Sequence, residues 1–259
     1  MEQQHKSLNN PLSIFSSIAV ILVFGLLIYS PAGAQQIDSQ QDEIYQKSFA
    51  RAVSIYDASI GKNSMLFSGR SYYNKHAGLK GHQYFKDDYW ERGSIIYEGQ
   101  VFDSIFIKYD IYSDLLLIEH FNINGYPSPI QLYRPKVRSF TLMKYYFIWL
   151  EKDTISNLRA GFYNQMYKSH DLEVLIKRRK EIVNANEINS IREEFAVKDR
   201  YYIKKDQMIY RVRKMSSIVK VLEDRKKEVK SFIKKNQYRF RENPDIQLVE
   251  VVKYYDSLL

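Results

Sequence analysis

"GSIIYEGQVFDSIFIKYDIYSDLLLIEH", Gly93 to His120, decides the fold class, because apolar and polar residues change places at almost every step. Strand side chains alternate between faces with period two. Val101, Asp103, Ile105, Ile107, Tyr109 and Ile111 are therefore expected on one side, and Phe102, Ser104, Phe106, Lys108, Asp110 and Tyr112 on the other. Glu98-Gly99 supplies a tight turn, where glycine tolerates positive φ. Ser113-Asp114 makes the next turn and "LLLIEH" returns, so the stretch reads as an antiparallel meander. Asp103 is the one charge on the apolar side and is placed near the strand's exposed start.

The same pattern extends outward. "IQLYR", "VRSFTLM" and "YYFIWLE" read as strands separated by Pro135 and Lys144. "GFYNQMYK" and "LEVLIKRR" pair across Ser169-His170-Asp171, and "RYYIKK" and "MIYRVRK" pair across Asp206-Gln207. Residues 181–199 are polar and read as a connection with at most a short helical turn, and Met65–Trp90 as irregular chain with short strands near Phe67 and Tyr84. About ten closely spaced strands predict a curved sheet, a sandwich or a partly open barrel.

Both ends change period. Ile44, Ser48, Ala52 and Tyr56 share a stripe with Tyr45, Phe49 and Val53, which predicts a helix over 38–60 ended by Gly61. Ser216 and Ser217 offer caps for a second helix carrying Ile218, Val219, Leu222, Val229, Phe232 and Ile233. Asn243-Pro244 starts a third, with Leu248, Val251, Val252, Tyr255 and Leu259 as its buried stripe. The fold class is α+β: mainly antiparallel sheet, one N-terminal helix and two C-terminal helices over 215–259. A meander followed by helices also argues against a closed outer-membrane barrel, whose last strand must meet its first.

Ile14 to Tyr29 is an unbroken apolar run, preceded by Lys6 and followed by Pro31 and the spaced small residues Ala32 and Ala34. The pattern predicts a signal peptide over 1–34, cleaved near Gln35, and a single domain over 35–259. The alternative is an uncleaved anchor, although the run is short for a spanning helix. The chain has no cysteine, so thiol chemistry, thiolate metal sites and a lipoprotein anchor are excluded. An exported protein without disulfides must be held by packing, and it suits a bacterial envelope better than a eukaryotic secretory route.

Net charge is +9, and residues 201–259 carry 15 Lys/Arg against 8 Asp/Glu, a local +7. No nucleic-acid module motif is present, and export argues against such a partner. An anionic envelope component (lipid head group or acidic glycan) or an envelope protein fits better, with any membrane contact peripheral. Lys177, Arg178, Arg179 and Lys180 close a strand and, with Arg211, Arg213 and Lys214, are candidates for a basic rim that attracts phosphate or carboxylate. An ordinary charged strand end that blunts edge pairing is the competing reading. The oligomeric state is open.

"MLFSGRSYY", "GHQYF", "GSIIYEGQVFDSIFIKYDIYSDLLLI", "GFYNQMY" and "RYYIKKDQMIYRVRK" followed by "KKEVKSFIKKNQ" resemble a family of exported, uncharacterised Bacteroidota proteins. The resemblance covers the chain from about Met65 onward. It implies an envelope address and a shared β-rich fold, and it carries no catalytic residue.

Chemistry is sparsely signalled. His76 and His82 flank "AGLKG", but zinc needs three or four ligands and no second pair stands nearby. There is no G-x-S-x-G elbow, and "GKNS" at Gly61 lacks the upstream glycine of a phosphate loop, so no cofactor is indicated. A secreted hydrolase would have to use His82 with acids from 87–91 or Asp110. A binding module would use aromatics, since 22 Tyr, 14 Phe and 2 Trp make up 15% of the chain. His82 and Trp90 join Lys177, Arg178 and Arg179 as the candidate binding residues, and no residue is assigned a catalytic or metal role.

Overall fold

The computed structural model describes residues 45, 47–49, 65–187 and 190–259, and the expected signal peptide with its Ala32 and Ala34 lies outside them, as does most of the expected helix over 38–60. Residues 63–259 form one compact unit. No helix among the described residues is long and apolar enough to cross a membrane.

Eleven strands form one antiparallel sheet that does not close. They are β1 (Arg70–Ser71), β2 (Glu91–Tyr97), β3 (Gln100–Asp110), β4 (Leu115–Ile118), β5 (Ile130–Gln131), β6 (Val137–Leu142), β7 (Tyr145–Leu150), β8 (Gly161–Lys168) and β9 (Leu172–Lys177), with β12 (Arg200–Lys205) and β13 (Met208–Val212). The spatial order is β1-β5-β4-β3-β2-β6-β7-β8-β9-β12-β13, so the short β1 lies at one edge and from β2, near the middle, the chain builds first toward that edge through β5 and then toward the other through β13. Glu98 and Gly99 both take positive φ in the β2–β3 turn, as do Asp206 and Gln207 in the β12–β13 turn. Two such residues in sequence give the turn whose twist matches that of the flanking strands.

The polar stretch after β9 is not a loose connection. Strands β10 (Lys180–Glu187) and β11 (Ser190–Val197) form a separate antiparallel hairpin. The hairpin hydrogen-bonds to the irregular segment before β2, through Lys80 N–H to the Glu193 carbonyl and Phe195 N–H to the Lys80 carbonyl. Backbone pairing makes these strands, and a chain stretch with little to bury shows no clear alternation.

The faces of β3 also differ from strict alternation. Gly93 pairs with Ile105 and Ile95 with Phe102, so β3 carries one extra residue, and Ser104 in that bulge has φ +58°. A bulge reverses the side on which later residues fall. Phe102 is consequently buried with Ile107 and Tyr109, while Val101 and Asp103 share the exposed face.

The sheet curls strongly. Tyr109 on β3 and Phe162 on β8 are four strand steps apart, or about 19 Å in a flat sheet, yet their ring centroids are 5.8 Å apart. Tyr109, Phe140, Phe147, Phe162 and Phe85 pack inside that curl, mostly edge-to-face with Phe140 stacked on Phe147, together with Leu66, Ile95, Ile107 and Leu116. Aromatic pairs in this geometry add about 0.5–1.5 kcal/mol each beyond their buried area.

Three helices cover one face of the far half of the sheet: α1 (Met215–Val221), α2 (Lys226–Lys235) and α3 (Pro244–Asp256). The expected single helix from Ser216 to Ile233 is broken by a 3-10 turn at Glu223–Arg225. Its Asp224 is held from outside, accepting from Tyr255 Oη at 2.6 Å and pairing with Lys205 at 2.6 Å. Leu222 and Val229 stay in phase across the break, which is why periodicity alone does not reveal it. Ser217 sits inside α1 and accepts from the Lys214 N–H. Pro244 opens α3 as expected, and Leu248, Val251, Val252 and Tyr255 are buried against Leu172, Val174 and Ile203, whereas Leu259 is exposed.

Candidate functional site: an arginine face on the last strands

The run Lys177-Arg178-Arg179-Lys180 leaves β9 with its residues pointing alternately to opposite faces, and the two faces treat charge differently. Arg178 turns toward the helices and is only 4% exposed. Its guanidinium donates to Asp199 Oδ2 at 2.8 Å, to Asp245 Oδ2 at 2.7 Å and to Asn164 Oδ1 at 2.9 Å. Asp245 lies in the first turn of α3, so this arginine pins the last helix to the sheet. Burial alone would lower the Arg178 value; the hydrogen bonds and charges of Asp245 and Asp199 outweigh it and raise the value.

Lys177 turns to the opposite face and is also spent internally. Its ammonium pairs with Asp114 Oδ2 at 2.6 Å, donates to the Phe162 carbonyl at 3.0 Å and lies 5.2 Å from the Tyr163 ring centroid. Tyr109 Oη donates to the other Asp114 oxygen at 2.5 Å. Burial nevertheless lowers the Lys177 value, against the pull of Asp114. Gly161 makes room for the pair, since a Cβ there would run into both Asp114 and Lys177.

Beyond Lys177 the same face carries unneutralised charge. Arg200 on β12 pairs in register with Lys177, and Tyr202 pairs with Leu175 on one side and Arg211 on the other. The β12–β13 pairing ends at Tyr201–Val212, and Arg213 follows β13 directly, close enough to Arg211 for its charge to act on it. Lys177 and Arg200 thus form a cationic pair across β9 and β12, with Leu175, Tyr202 and Arg211 in the next row across three strands and Arg213 just past the end of β13. Like charges directly opposite in a sheet are destabilising. Asp114 answers Lys177, and Glu181 pairs with Arg179. Arg200, Arg211 and Arg213 have no carboxylate partner among the described residues. Burial, and after it the neighbouring charge of Arg213, with Arg200 and Arg179 contributing, pushes the Arg211 value down.

Tyr163 and Tyr202 floor this face, their rings edge-to-face with centroids 5.7 Å apart. Arg213 also borders a depression of about 470 Å³ lined by Lys214, Met215, Arg239, Phe240, Arg241 and Glu242, the last paired with Arg239 at 3.4 Å. Clustered guanidinium groups without carboxylate partners suit a ligand bearing phosphate or carboxylate groups, which arginine engages bidentately. The structure therefore gathers Arg179, Arg211 and Arg213 from the expected rim, adds Arg200, and directs Arg178 away. Arg200 was findable in the sequence: it stands two residues before Tyr202 in an alternating strand, on the same face.

His82 and Trp90 lie elsewhere and are engaged by their own surroundings. His82 Nδ1 accepts from the Tyr84 N–H at 3.2 Å, and its ring stacks on Tyr84 with centroids 6.0 Å apart. Burial and then the Lys180 charge lower its value. Among the described residues His82 forms no hydrogen bond with an acid. Asp88 is paired with Lys108 at 2.6 Å, and Asp110 accepts from Tyr72 Oη at 3.0 Å and from the Tyr112 and Ser113 N–H groups. The Lys108 ammonium sits 4.8 Å from the ring centroids of both Trp90 and Tyr84, so the protein's own cation occupies that aromatic pair. His76 packs edge-on against Tyr112 and Phe195. No group of three or more His, Asp or Glu among the described residues is placed to hold a metal ion. The chain matches no protein-family model, no curated protein and no solved structure.

Proposed function

We propose that the protein is a non-enzymatic, exported module that binds an anionic component of the bacterial envelope on the arginine face of β12 and β13. The observation that carries this reading is an uncompensated cluster of like charge. Arg200, Arg211 and Arg213 stand close to one another beside Tyr202, with no carboxylate partner among the described residues. A strand that breaks the local charge rule without an internal gain marks a site whose compensation comes from a ligand. The apolar run at Ile14–Tyr29 and the spaced Ala32 and Ala34 support a periplasmic or cell-surface address, where lipid head groups and acidic glycans supply phosphate and carboxylate.

The test is native mass spectrometry of the protein purified gently from its own envelope, beside the double variant Arg200→Gln/Arg211→Gln. An added mass of lipid or glycan is expected on the native protein and absent from the variant. Hydrogen bonds to charged groups contribute about 1.5–3 kcal/mol each. Losing two should therefore weaken binding of the identified ligand more than a hundredfold. A variant that carries the same mass at the same occupancy would sink the proposal.

A further inference from the structure

The connection between β4 and β5, residues 119–129, presents apolar side chains where a loop normally presents polar ones. Ile123 is fully exposed at 101%, Tyr126 at 68% and Phe121 at 52%. Chain slack does not cause this exposure, because the loop is held in shape. Asn122 Oδ1 accepts from the backbone N–H groups of Asn124 and Tyr126, each at 3.0 Å. The backbone closes the turn through Asn122 N–H to the Tyr126 carbonyl at 2.9 Å and Gly125 N–H to the Asn122 carbonyl at 2.8 Å, with Gly125 at φ +78°. Its base is tied by Ser128 N–H to the His120 carbonyl and by Tyr72 N–H to the Pro129 carbonyl. An ordered tip with three outward apolar groups is preorganised for an apolar partner, since little conformational entropy remains to be lost on binding.

Charge identifies that partner. No Asp or Glu occurs between His120 and Leu150, while Arg134, Arg138 and Lys144 do; Lys136 is spent on an ion pair with Glu98. On the segment that the loop's base touches, Arg70 and Lys75 are cationic and have no carboxylate partner among the described residues, and the neighbouring Tyr73 is also exposed. An apolar tip with cations at its base, whose one carboxylate, Glu119, stands where the loop leaves β4, matches the boundary of an anionic bilayer. There aromatic and aliphatic groups enter the acyl region while basic groups remain among the phosphates. Tyr suits this depth, with an apolar ring and a polar end. We infer that Phe121, Ile123 and Tyr126 insert into the surface of an anionic lipid bilayer and fix the orientation of the protein on it. This contact is independent of the arginine face.

The absence of cysteine makes the test direct. The full chain carrying Asn124→Cys and an environment-sensitive nitrobenzoxadiazole label is reconstituted with vesicles of phosphatidylethanolamine and phosphatidylglycerol, beside a protein labelled at Gln207→Cys in the exposed β12–β13 turn. The label at 124 is expected to shift to the blue and to be quenched by lipid-borne nitroxides, while the label at 207 stays as in water. Adding Phe121→Ser, Ile123→Ser and Tyr126→Ser should abolish the shift, and these exposed sites leave the core untouched. A label at 124 as wet as that at 207, or a shift that survives the three serines, overturns the inference. Either result would hold whether the amino-terminal apolar run is cleaved or retained, because the label reports only the loop.

Discussion

Removing the Arg178 guanidinium should destabilise the protein far more than removing an arginine from the opposite face, although the two kinds of residue lie close together in the sheet. Arg178→Ala leaves Asp199, 10% exposed, and Asp245, 26% exposed, without their shared cation, and leaves Asn164 Oδ1 without its donor. Breaking a buried pair costs about 3–5 kcal/mol. Asp245 can regain water and Asp199 largely cannot, so the lower end, about 3 kcal/mol, applies. For a unit of this size each kcal/mol lowers Tm by about 2–4 °C. A fall on the order of 6–12 °C is expected by calorimetry or far-ultraviolet circular dichroism. Arg211→Gln should stay within about 0.5 kcal/mol of the parent, because the lost charge repels its neighbours. Combining Arg178→Met with Asp199→Asn and Asp245→Asn should recover much of the loss, since the orphaned carboxylates drive it. Equal Tm values for Arg178→Ala and Arg211→Gln would refute the assignment of one arginine to structure and the other to ligand.

Two further outcomes follow from the curled core. A Cβ on Gly93 would collide with the Thr141 carbonyl and lie 2.5 Å from Ile107 Cδ1; Gly93→Ala should therefore cost about 1–3 kcal/mol, read as a lower urea midpoint at unchanged slope. Stability should also fall at high pH. Burial raises the Tyr109 and Tyr163 values above the ordinary 10.0, with the Asp114 charge also pushing Tyr109 up. Groups raised on folding contribute fully below the unfolded value and lose that contribution as pH rises past it, at up to about 1.4 kcal/mol per pH unit each. Lys177, lowered on folding, acts oppositely only up to about pH 10.5. Above that pH circular dichroism should be lost, and ionisation of Tyr109 and Tyr163, followed by ring-labelled tyrosine NMR apart from exposed rings such as Tyr73 and Tyr126, should coincide with that loss; their ionising while the fold persists would refute it.

Strand identity was legible in the sequence because alternation and turn chemistry act over a few residues. β8 runs from Gly161 to Lys168 as read, and the turns at Glu98-Gly99 and Asp206-Gln207 stand where predicted. The hairpin β10–β11 was not legible, since its pairing is satisfied backbone to backbone and its side chains bury too little to imprint a pattern. The bulge at Ser104 escaped for a related reason: one inserted residue shifts the face of everything before it, and only the partner strand shows the shift.

The candidate site divides along the same line. Composition and alternation alone determined that the chain is a cysteine-free, basic, β-rich protein with helices at its end, and they grouped Lys177, Arg178 and Arg179 on one rim that the structure splits between two faces. Which cation is spent and which is free was decided by tertiary structure. Asp114 meets Lys177 across six strand steps because the sheet curls, and Asp245 reaches Arg178 because α3 lies across the same strands. Local sequence sets the direction of a side chain within two or three residues. Its charge partner is set by contacts between residues far apart in the chain, and those exist only once the sheet has rolled and the helices have docked.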